Sequence, residues 1–165
     1  MFLIEALPTD VVMRKQLIHA VSDIEAEIQS QDAWNDQALS ELLMQDSIDM
    51  LIVYGPEKTE RAEENTVVGY CLYQVVFEQA EILRIGTYPD YQRQGIASQV
   101  FSKLHKWLAE SQVESLLLEV RADNTAAIAL YEQQGFTIIH RRKGYYQQPH
   151  QPAIDALIMQ RVYTD

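Results

Sequence analysis

Residues 88–97 read Tyr-Pro-Asp-Tyr-Gln-Arg-Gln-Gly-Ile-Ala. They join a strand-like run to a helix-like one and put Gly95 at the helix start. Four orphan N–H groups point out of a helix N-terminus, where the macrodipole is positive. A glycine there lets a phosphate approach the backbone with no Cβ in the way, and Arg93 adds a positive charge. The stretch therefore suits an anion, a pyrophosphate above all, although it also reads as a plain tight turn before a helix. No Gly-Lys-Ser/Thr follows, as a Walker A loop requires, and there is no G-x-G-x-x-G. The pattern thus disfavours both ATP and NAD.

Working outward, residues 81–87 read as the strand that feeds this turn. The helix after it, about 95–109, carries Ile96, Val100, Phe101, Leu104, Trp107 and Leu108 on one apolar face. SLLLEVR, 115–121, is a strand. Residues 124–133 form a short helix closed by Gly135 in a left-handed C-cap. Strands are predicted at 136–140 and 154–162. Toward the N-terminus, an edge strand lies within 2–7. Thr9 or Asp10 caps a helix reaching Ile28, whose apolar positions are Val11, Ile18, Val21, Ile24 and Ile28. A second helix over 36–44 has Leu39, Leu42 and Leu43 on one side. Strands at 48–54 and 67–77 flank Gly55-Pro56 and the charged run EKTERAEEN, 57–65, which reads as a solvated loop. A β-α-β core with flanking hairpins implies an α+β fold, one sheet with helices on both faces.

A chain of 165 residues is one domain of ordinary size, 1–165, and buries roughly 70% of its unfolded surface without disulfides or metal. With 47% hydrophobic and 22% charged residues it is no disordered tail, collagen or disulfide scaffold. Cys71 is the single cysteine, which points to a reducing compartment. The opening MFLIEALP has no basic region and no small-residue cleavage site, no run of 18 apolar residues exists, and VYTD carries no lipidation box. The expected location is cytoplasmic. The net charge of −11 argues against nucleic acid or an anionic membrane as partner. It is uneven: residues 1–81 hold 16 acidic and 4 basic side chains, residues 82–165 hold 8 and 9. An acidic first half suits attraction of something cationic.

Gln92-Arg93-Gln94-Gly95-Ile96-Ala97 resembles the pyrophosphate loop of the GNAT superfamily of N-acetyltransferases, written Q/R-x-x-G-x-G/A. LEVRADNTAAIALYEQQGF, 118–136, is similar nearly residue by residue to the hallmark of the ribosomal-protein-alanine N-acetyltransferases, the RimI group. Tyr145-Tyr146 and the run from Asp155-Ala156 to Met159 fit the same group. The resemblance spans about 81–159 and matches only loosely around Trp34 before that. It implies a mixed, mostly antiparallel central sheet and acetyl-CoA as co-substrate, with no metal. It places Ile85, Gly86 and Thr87 on a strand that receives the pantetheine arm. Arg93, Gln94, Gly95, Ile96, Ala97 and Ser98 cradle the pyrophosphate, and Asn124 touches the coenzyme. Glu119 is the implied general base and Tyr131 the general acid. Ala97 stands where a final glycine is commoner, and Arg84-Ile85-Gly86-Thr87 is less apolar than usual, so the substrate side of that strand is expected to differ.

The residues themselves fit these roles. Period 2 in SLLLEVR puts Leu116, Leu118 and Val120 on one face and Leu117, Glu119 and Arg121 on the other. A carboxylate in mid-strand needs a reason, which can also be an ion pair or simple exposure to solvent. Asn124 precedes an apolar helical run and is also a natural N-cap. Tyr131 shares a helix face with Ala127 and Ile128 and reads equally as a packed tyrosine. His19, His105, His140 and His150 show no metal spacing. Cys71 reads as an inert core thiol. Arg141, Arg142 and Lys143 are too few for a nucleic-acid patch and read as a solvated strand end or a cleft wall.

By this resemblance the chain acetylates the α-amine of a protein N-terminus, with a ribosomal protein as partner, as a monomer. An α-amine titrates near 7.7–8.0 and a lysine near 10.4, a gap of about 2.5 units or roughly 3.5 kcal/mol, so a modest base suffices for the former. Strand amides near Thr87 would face the developing oxyanion. Two alternatives stay open: acetylation of a small cationic amine such as a polyamine or antibiotic, and a non-catalytic acyl-CoA-binding module.

Overall fold

A computed structural model describes residues 2–29, 32–55 and 66–163. The elements, in chain order, are β1 (Leu3–Ala6), α1 (Val11–Ile28), α2 (Asp36–Leu43), β2 (Ile48–Tyr54), β3 (Val67–Val76), β4 (Gln79–Thr87), α3 (Ile96–Glu110), β5 (Ser115–Arg121), α4 (Thr125–Gln133), β6 (Thr137–Tyr146) and β7 (Ile154–Val162). A single 3-10 turn, Pro89–Tyr91, precedes α3. The strands form one seven-stranded sheet in the order β1-β2-β3-β4-β5-β7-β6, flanked by the helices. β4 and β5 pair in parallel over Gln79↔Ser115 to Glu81↔Leu117, and the β1-β2, β2-β3, β5-β7 and β6-β7 ladders are antiparallel. This is the mixed, mostly antiparallel α+β architecture expected. The charged stretch 57–65 lies outside the described residues. Among the described residues no helix is long and apolar enough to cross a membrane.

The chain divides into two compact units, Met1–Gln74 with Leu83–Leu104, and Val75–Ile82 with His105–Asp165. In the first, Asp10 caps α1 by accepting the Met13 N–H at 2.9 Å, and Asn35 caps α2 by accepting the Ala38 N–H at 2.9 Å. Ile18, Val21 and Ile24 of α1 join Leu39 and Leu43 of α2 over Ile48, Met50 and Ile52 of β2 in one core cluster. Leu51 and Val53, on the other face of β2, are also fully buried, so this strand reads as a continuous apolar run rather than an alternation. The Lys103 ammonium donates to the Ile4 carbonyl at the β1 edge of the sheet. Val11, assigned to the apolar stripe of α1, is 79% exposed. It sits in the first turn, ahead of the part of the helix that packs, whose buried residues begin at Ile18.

In the second unit, β5 buries Leu116, Leu118 and Val120 and leaves the alternate positions half-exposed, as period 2 requires. Asn124 caps α4 by accepting the Ala127 N–H at 3.2 Å, and Gly135 closes that helix at φ +88. The Phe136 ring is buried against Tyr131 and His105, each at a 6.0 Å centroid distance. Trp107, placed on the apolar face of α3, is 39% exposed. The largest departure is β6. It runs on to Tyr146 instead of ending at His140, so Arg141, Arg142 and Lys143 lie within a strand. β6 is the last strand of the sheet and pairs only with β7. Its residues are mostly exposed on both faces, which erases the apolar alternation that would have revealed its length.

Candidate active site

In the first unit, the residues singled out for coenzyme binding form one continuous path. Ile85, Gly86 and Thr87 end β4, the 3-10 turn follows, and the chain enters α3 through Gln92–Gly95. The Gln92 side-chain amide donates to the Thr87 carbonyl at 3.2 Å and ties the turn to the strand end. Arg93 and Gly95 take φ +64 and +79. The second is ordinary for glycine, whereas the first is a left-handed arginine, a conformation that side chains adopt uncommonly and that Phe77, Gln112 and His150 share in other turns of this chain. A Cβ placed on Gly95 would meet nothing within 4 Å, so the backbone there faces open space. Ile96 anchors the helix start in the core, while Arg93, Gln94 and Gly95 are exposed and Ala97 and Ser98 half-buried. The start of α3 therefore lies beside open space at Gly95, with an exposed arginine two residues before it. Gly86 is different, since a Cβ there would come within 2.5 Å of Ile28 Cδ1 and 2.7 Å of the Tyr70 hydroxyl. Its need for glycine comes from packing under α1.

In the second unit, Glu119 lies in mid-β5 opposite Ile158 of β7, its side chain 29% exposed. It is neither buried alone nor free in solvent. The Tyr146 hydroxyl donates to Glu119 Oε2 at 3.1 Å, and Arg142 Nη1 lies 3.7 Å from Oε1. Burial, followed by the Glu119 carboxylate beside it, pushes the Tyr146 phenol above its ordinary range. Arg121 sits 5.4 Å over the Tyr146 ring and is held in turn by Asp123, at 3.1 Å through both Nε and Nη2. A carboxylate with one neighbour per oxygen keeps lone pairs for an incoming donor. Asn124 is exposed and serves as the α4 N-cap. Tyr131 is half-buried on α4, its ring edge-on to Phe136.

Sequence reasoning gave Tyr146 and Arg142 no part in the Glu119 environment. The missed signal was the strand itself: once β6 reaches Tyr146, both residues lie on it across β7 from β5. Sequence reasoning also missed Glu25, fully buried in α1. Its Oε1 accepts the Tyr70 hydroxyl at 2.5 Å and lies 3.1 Å from Arg84 Nε, and its Oε2 accepts the Trp34 N–H at 3.2 Å. Arg84 in turn stacks 4.1 Å over the Trp34 ring and donates to the Asp32 carbonyl at 2.9 Å. The signal was legible, because a glutamate four residues after Val21 and three before Ile28 falls on the apolar stripe. Cys71 is fully buried, and burial pushes its thiol up to about 12, which makes it inert as a nucleophile. Among the described residues no group of three or more His, Cys, Asp or Glu could hold a metal ion.

Comparison with known proteins follows the same lines. The sequence profile of the Acetyltransferase (GNAT) family matches residues 19–136. The [ribosomal protein bS18]-alanine N-acetyltransferase of Escherichia coli K12 is 40% identical over 84 residues, which are 51% of this chain and 57% of that protein. The protein of the same name from Haemophilus influenzae is 36% identical over 97 residues, 59% of this chain and 66% of the relative. These matches thus span between half and two thirds of each chain. The crystal structure of the E. coli ribosomal-protein-S18-alanine N-acetyltransferase superposes with a TM-score of 0.78 at 27% identity, covering 100% of this chain and 96% of that one.

Proposed function

The chain belongs to the acetyltransferase (GNAT) family, and from that premise we propose that it moves an acetyl group from acetyl-CoA to the N-terminal α-amine of a protein. The acceptor we propose is the N-terminal alanine of a ribosomal protein, the reaction named for the relatives it resembles. The observation that carries the reading is Glu119: a half-exposed carboxylate in mid-strand, held at one oxygen by Tyr146 and near the other by Arg142. On this reading residues 1–165 act as one catalytic domain, as a cytoplasmic monomer needing no metal, nucleic acid or membrane.

The residues present fit the coenzyme. Open space over Gly95, free amides at Ile96, Ala97 and Ser98 and the Arg93 guanidinium suit a pyrophosphate. The Gln94 amide would join this cradle, the Ile85–Thr87 backbone would line the path of the pantetheine arm, and Asn124 would meet the coenzyme at the α4 start. When bound, acetyl-CoA supplies the acyl group already activated as a thioester. The chain's own task is to deliver a neutral amine and to manage two protons. Glu119 takes the proton from the α-ammonium, directly or through one water. A group that titrates near 7.7–8.0 gives it up at modest cost. The Tyr131 hydroxyl supplies the proton needed on the leaving side. No covalent enzyme intermediate is involved, which agrees with Cys71 being sealed in the core.

The test is direct. The protein is incubated with acetyl-CoA and an alanine-starting peptide, the same peptide with a blocked N-terminus, and a panel of polyamines and aminoglycosides. Thiol release and product mass are followed. Acetylation confined to the free α-amine supports the reading. Preference for the small amines replaces it with the small-amine alternative, and coenzyme binding without any transfer leaves a binding module. Glu119→Gln and Tyr131→Phe are each expected to lower turnover by roughly 10²-fold. Near-normal rates in both folded variants would overturn the assignments.

A further inference from the structure

The β6–β7 ladder departs from one-to-one pairing twice, at Ile139 and again opposite Asp155. Arg142 pairs with Ala156 and Tyr146 with Ile154, so Lys143, Gly144 and Tyr145 together stand opposite Asp155 alone. Gly144 takes φ +61 in this bulge. The Asp155 carboxylate spans it: Oδ1 accepts the Gly144 N–H at 2.8 Å, and Oδ2 pairs with Arg141 Nη1 at 2.7 Å. The Gly144 hydrogen bond, then Arg141, hold that carboxyl below the usual carboxylate range.

The bulge has a geometric consequence. Glu119 pairs with Ile158 and Tyr146 with Ile154, on either side of β7. In a flat, regular ladder, four positions along a strand and two strand spacings across would put their Cα atoms about 16 Å apart. That exceeds the joint reach of a tyrosine and a glutamate. Yet the Tyr146 hydroxyl lies 3.1 Å from Glu119 Oε2, and Arg142, at the other end of the bulge, lies 3.7 Å from Oε1. A bulge bends its strand and increases its twist, which closes such a gap. Ring contacts complete the cluster: Tyr145 packs edge-on to Tyr146 at 5.2 Å, and Arg142 sits 5.4 Å over Tyr145.

We propose that Asp155 is a positioning residue for acetyl transfer: by clamping the Lys143–Tyr145 bulge it turns the Tyr146 hydroxyl onto Glu119, beside the Arg142 guanidinium that a regular ladder already brings within reach. Its catalytic half rests on Glu119 being the base, whereas its geometric half does not. Asp155 touches no reacting atom. Its effect is to fix the carboxylate's orientation, and a misplacement of about 1 Å in such a group costs roughly 10²-fold in rate.

The experiment pairs a mutant cycle with a contact readout on the full chain. Asp155→Ala is expected to lower turnover about 10- to 100-fold with the KM for acetyl-CoA little changed. Added to Glu119→Gln, it is expected to cost almost nothing more, since no base is left to position. Losses that multiply in the double variant would overturn the proposal, because Asp155 would then act independently of Glu119. The contact is read by titrating the Tyr146 phenol by NMR on ring-labelled tyrosine, assigned with Tyr146→Phe. The groups facing that phenol are Glu119 and Arg121 from β5 and Tyr145 from its own strand. In Asp155→Ala its titration is expected to fall by about one unit or more toward the ordinary tyrosine value near 10. An unmoved titration would overturn the clamp. Asp155→Asn keeps an oxygen for the Gly144 N–H and drops the pair with Arg141, so it serves if the alanine variant fails to fold, with a smaller loss of the same kind expected. No change in its turnover or its Tyr146 titration would overturn the proposal equally. Should Glu119→Gln itself turn over normally, the base assignment fails, and the Tyr146 titration still decides the clamp.

Discussion

Replacing Glu25 by alanine tests what holds α1 and the segment around Trp34 to the sheet. Glu25 is 0% exposed, and Arg84, its ion-pair partner, is 15% exposed. The variant removes the acceptor of the Tyr70 hydroxyl and of the Trp34 N–H, and leaves Arg84 without its buried partner. Hydrogen bonds to a charged group contribute roughly 1.5–3 kcal/mol, and breaking a buried pair by deleting one member costs about 3–5 kcal/mol. These overlap and do not add, so about 3–5 kcal/mol is the working figure. Asp32, 3.6 Å from Arg84 but well exposed, softens it toward the lower end. A domain of this size is stable by about 5–15 kcal/mol and loses about 2–4 °C in Tm per kcal/mol, so a fall on the order of 10 °C is expected. The assay is thermal unfolding, with urea unfolding to check that the m-value is unchanged. Arg84→Met is expected to cost a similar amount by stranding the carboxylate. The double variant Glu25→Leu with Arg84→Met is expected to lose less than the sum of its two single variants, since no charge is stranded while Tyr70 and the Trp34 N–H still lose their acceptor. A Tm for Glu25→Ala within about 2 °C of the parent, or strict additivity in the double variant, would refute the reasoning.

Three further predictions follow from the geometry. Gly95→Ala forces a Cβ onto φ +79 and into the open space at the α3 start. It is expected to cost about 1–2 kcal/mol of stability and to weaken acetyl-CoA binding at least tenfold by calorimetry, and unchanged affinity would remove the pyrophosphate assignment. Burial, with Arg161 adding, holds His105 down to about 4, so the unfolded chain binds the extra proton between that value and about 6.5. Stability must therefore fall as pH drops through this window and level off below it, and His105→Gln is expected to flatten the slope of Tm against pH. Finally, residues 1–81 carry 16 acidic and 4 basic side chains. The KM for a basic acceptor peptide is expected to rise several-fold between about 50 and 300 mM salt, while salt-independent kinetics would rule out steering by that field.

What could be read from the sequence was whatever has a strong local cause. SLLLEVR gave strand, faces and the position of Glu119 together, because period 2 in a half-buried strand is unambiguous. Asp10, Asn124 and Gly135 were legible for the same reason, since caps and left-handed turns draw on few residue types. The misses all depended on distant partners. β6 looked short because an edge strand exposed on both faces has no apolar period to betray it. Without that length, Tyr146 and Arg142 could not be set beside Glu119, nor Asp155 opposite a bulge. Glu25 lay in plain view on an apolar stripe, but its reason, Arg84, is 59 residues downstream, and only folding brings the two together.

Glu25 and Glu119 make the final discrimination. Both are carboxylates paired with an arginine and a tyrosine hydroxyl, at 3.1 and 2.5 Å for the first and 3.7 and 3.1 Å for the second. By partner chemistry they are near twins. They differ in access. Glu25 has its oxygens taken by Tyr70, Arg84 and Trp34 and none of its surface in solvent, so no incoming amine can reach it. Glu119 keeps 29% of its side chain exposed and has a looser pair with Arg142. A base must be reached by the acid it deprotonates, so the proposed proton transfer is open to Glu119 and closed to Glu25. The two glutamine variants should then separate on different axes. Glu25→Gln is expected to lower Tm while the folded fraction turns over at near-parent rate. Glu119→Gln is expected to leave Tm within about 2 °C and to lower turnover by roughly 10²-fold. Measuring both quantities on the same samples settles it, and the reverse pattern would exchange their roles.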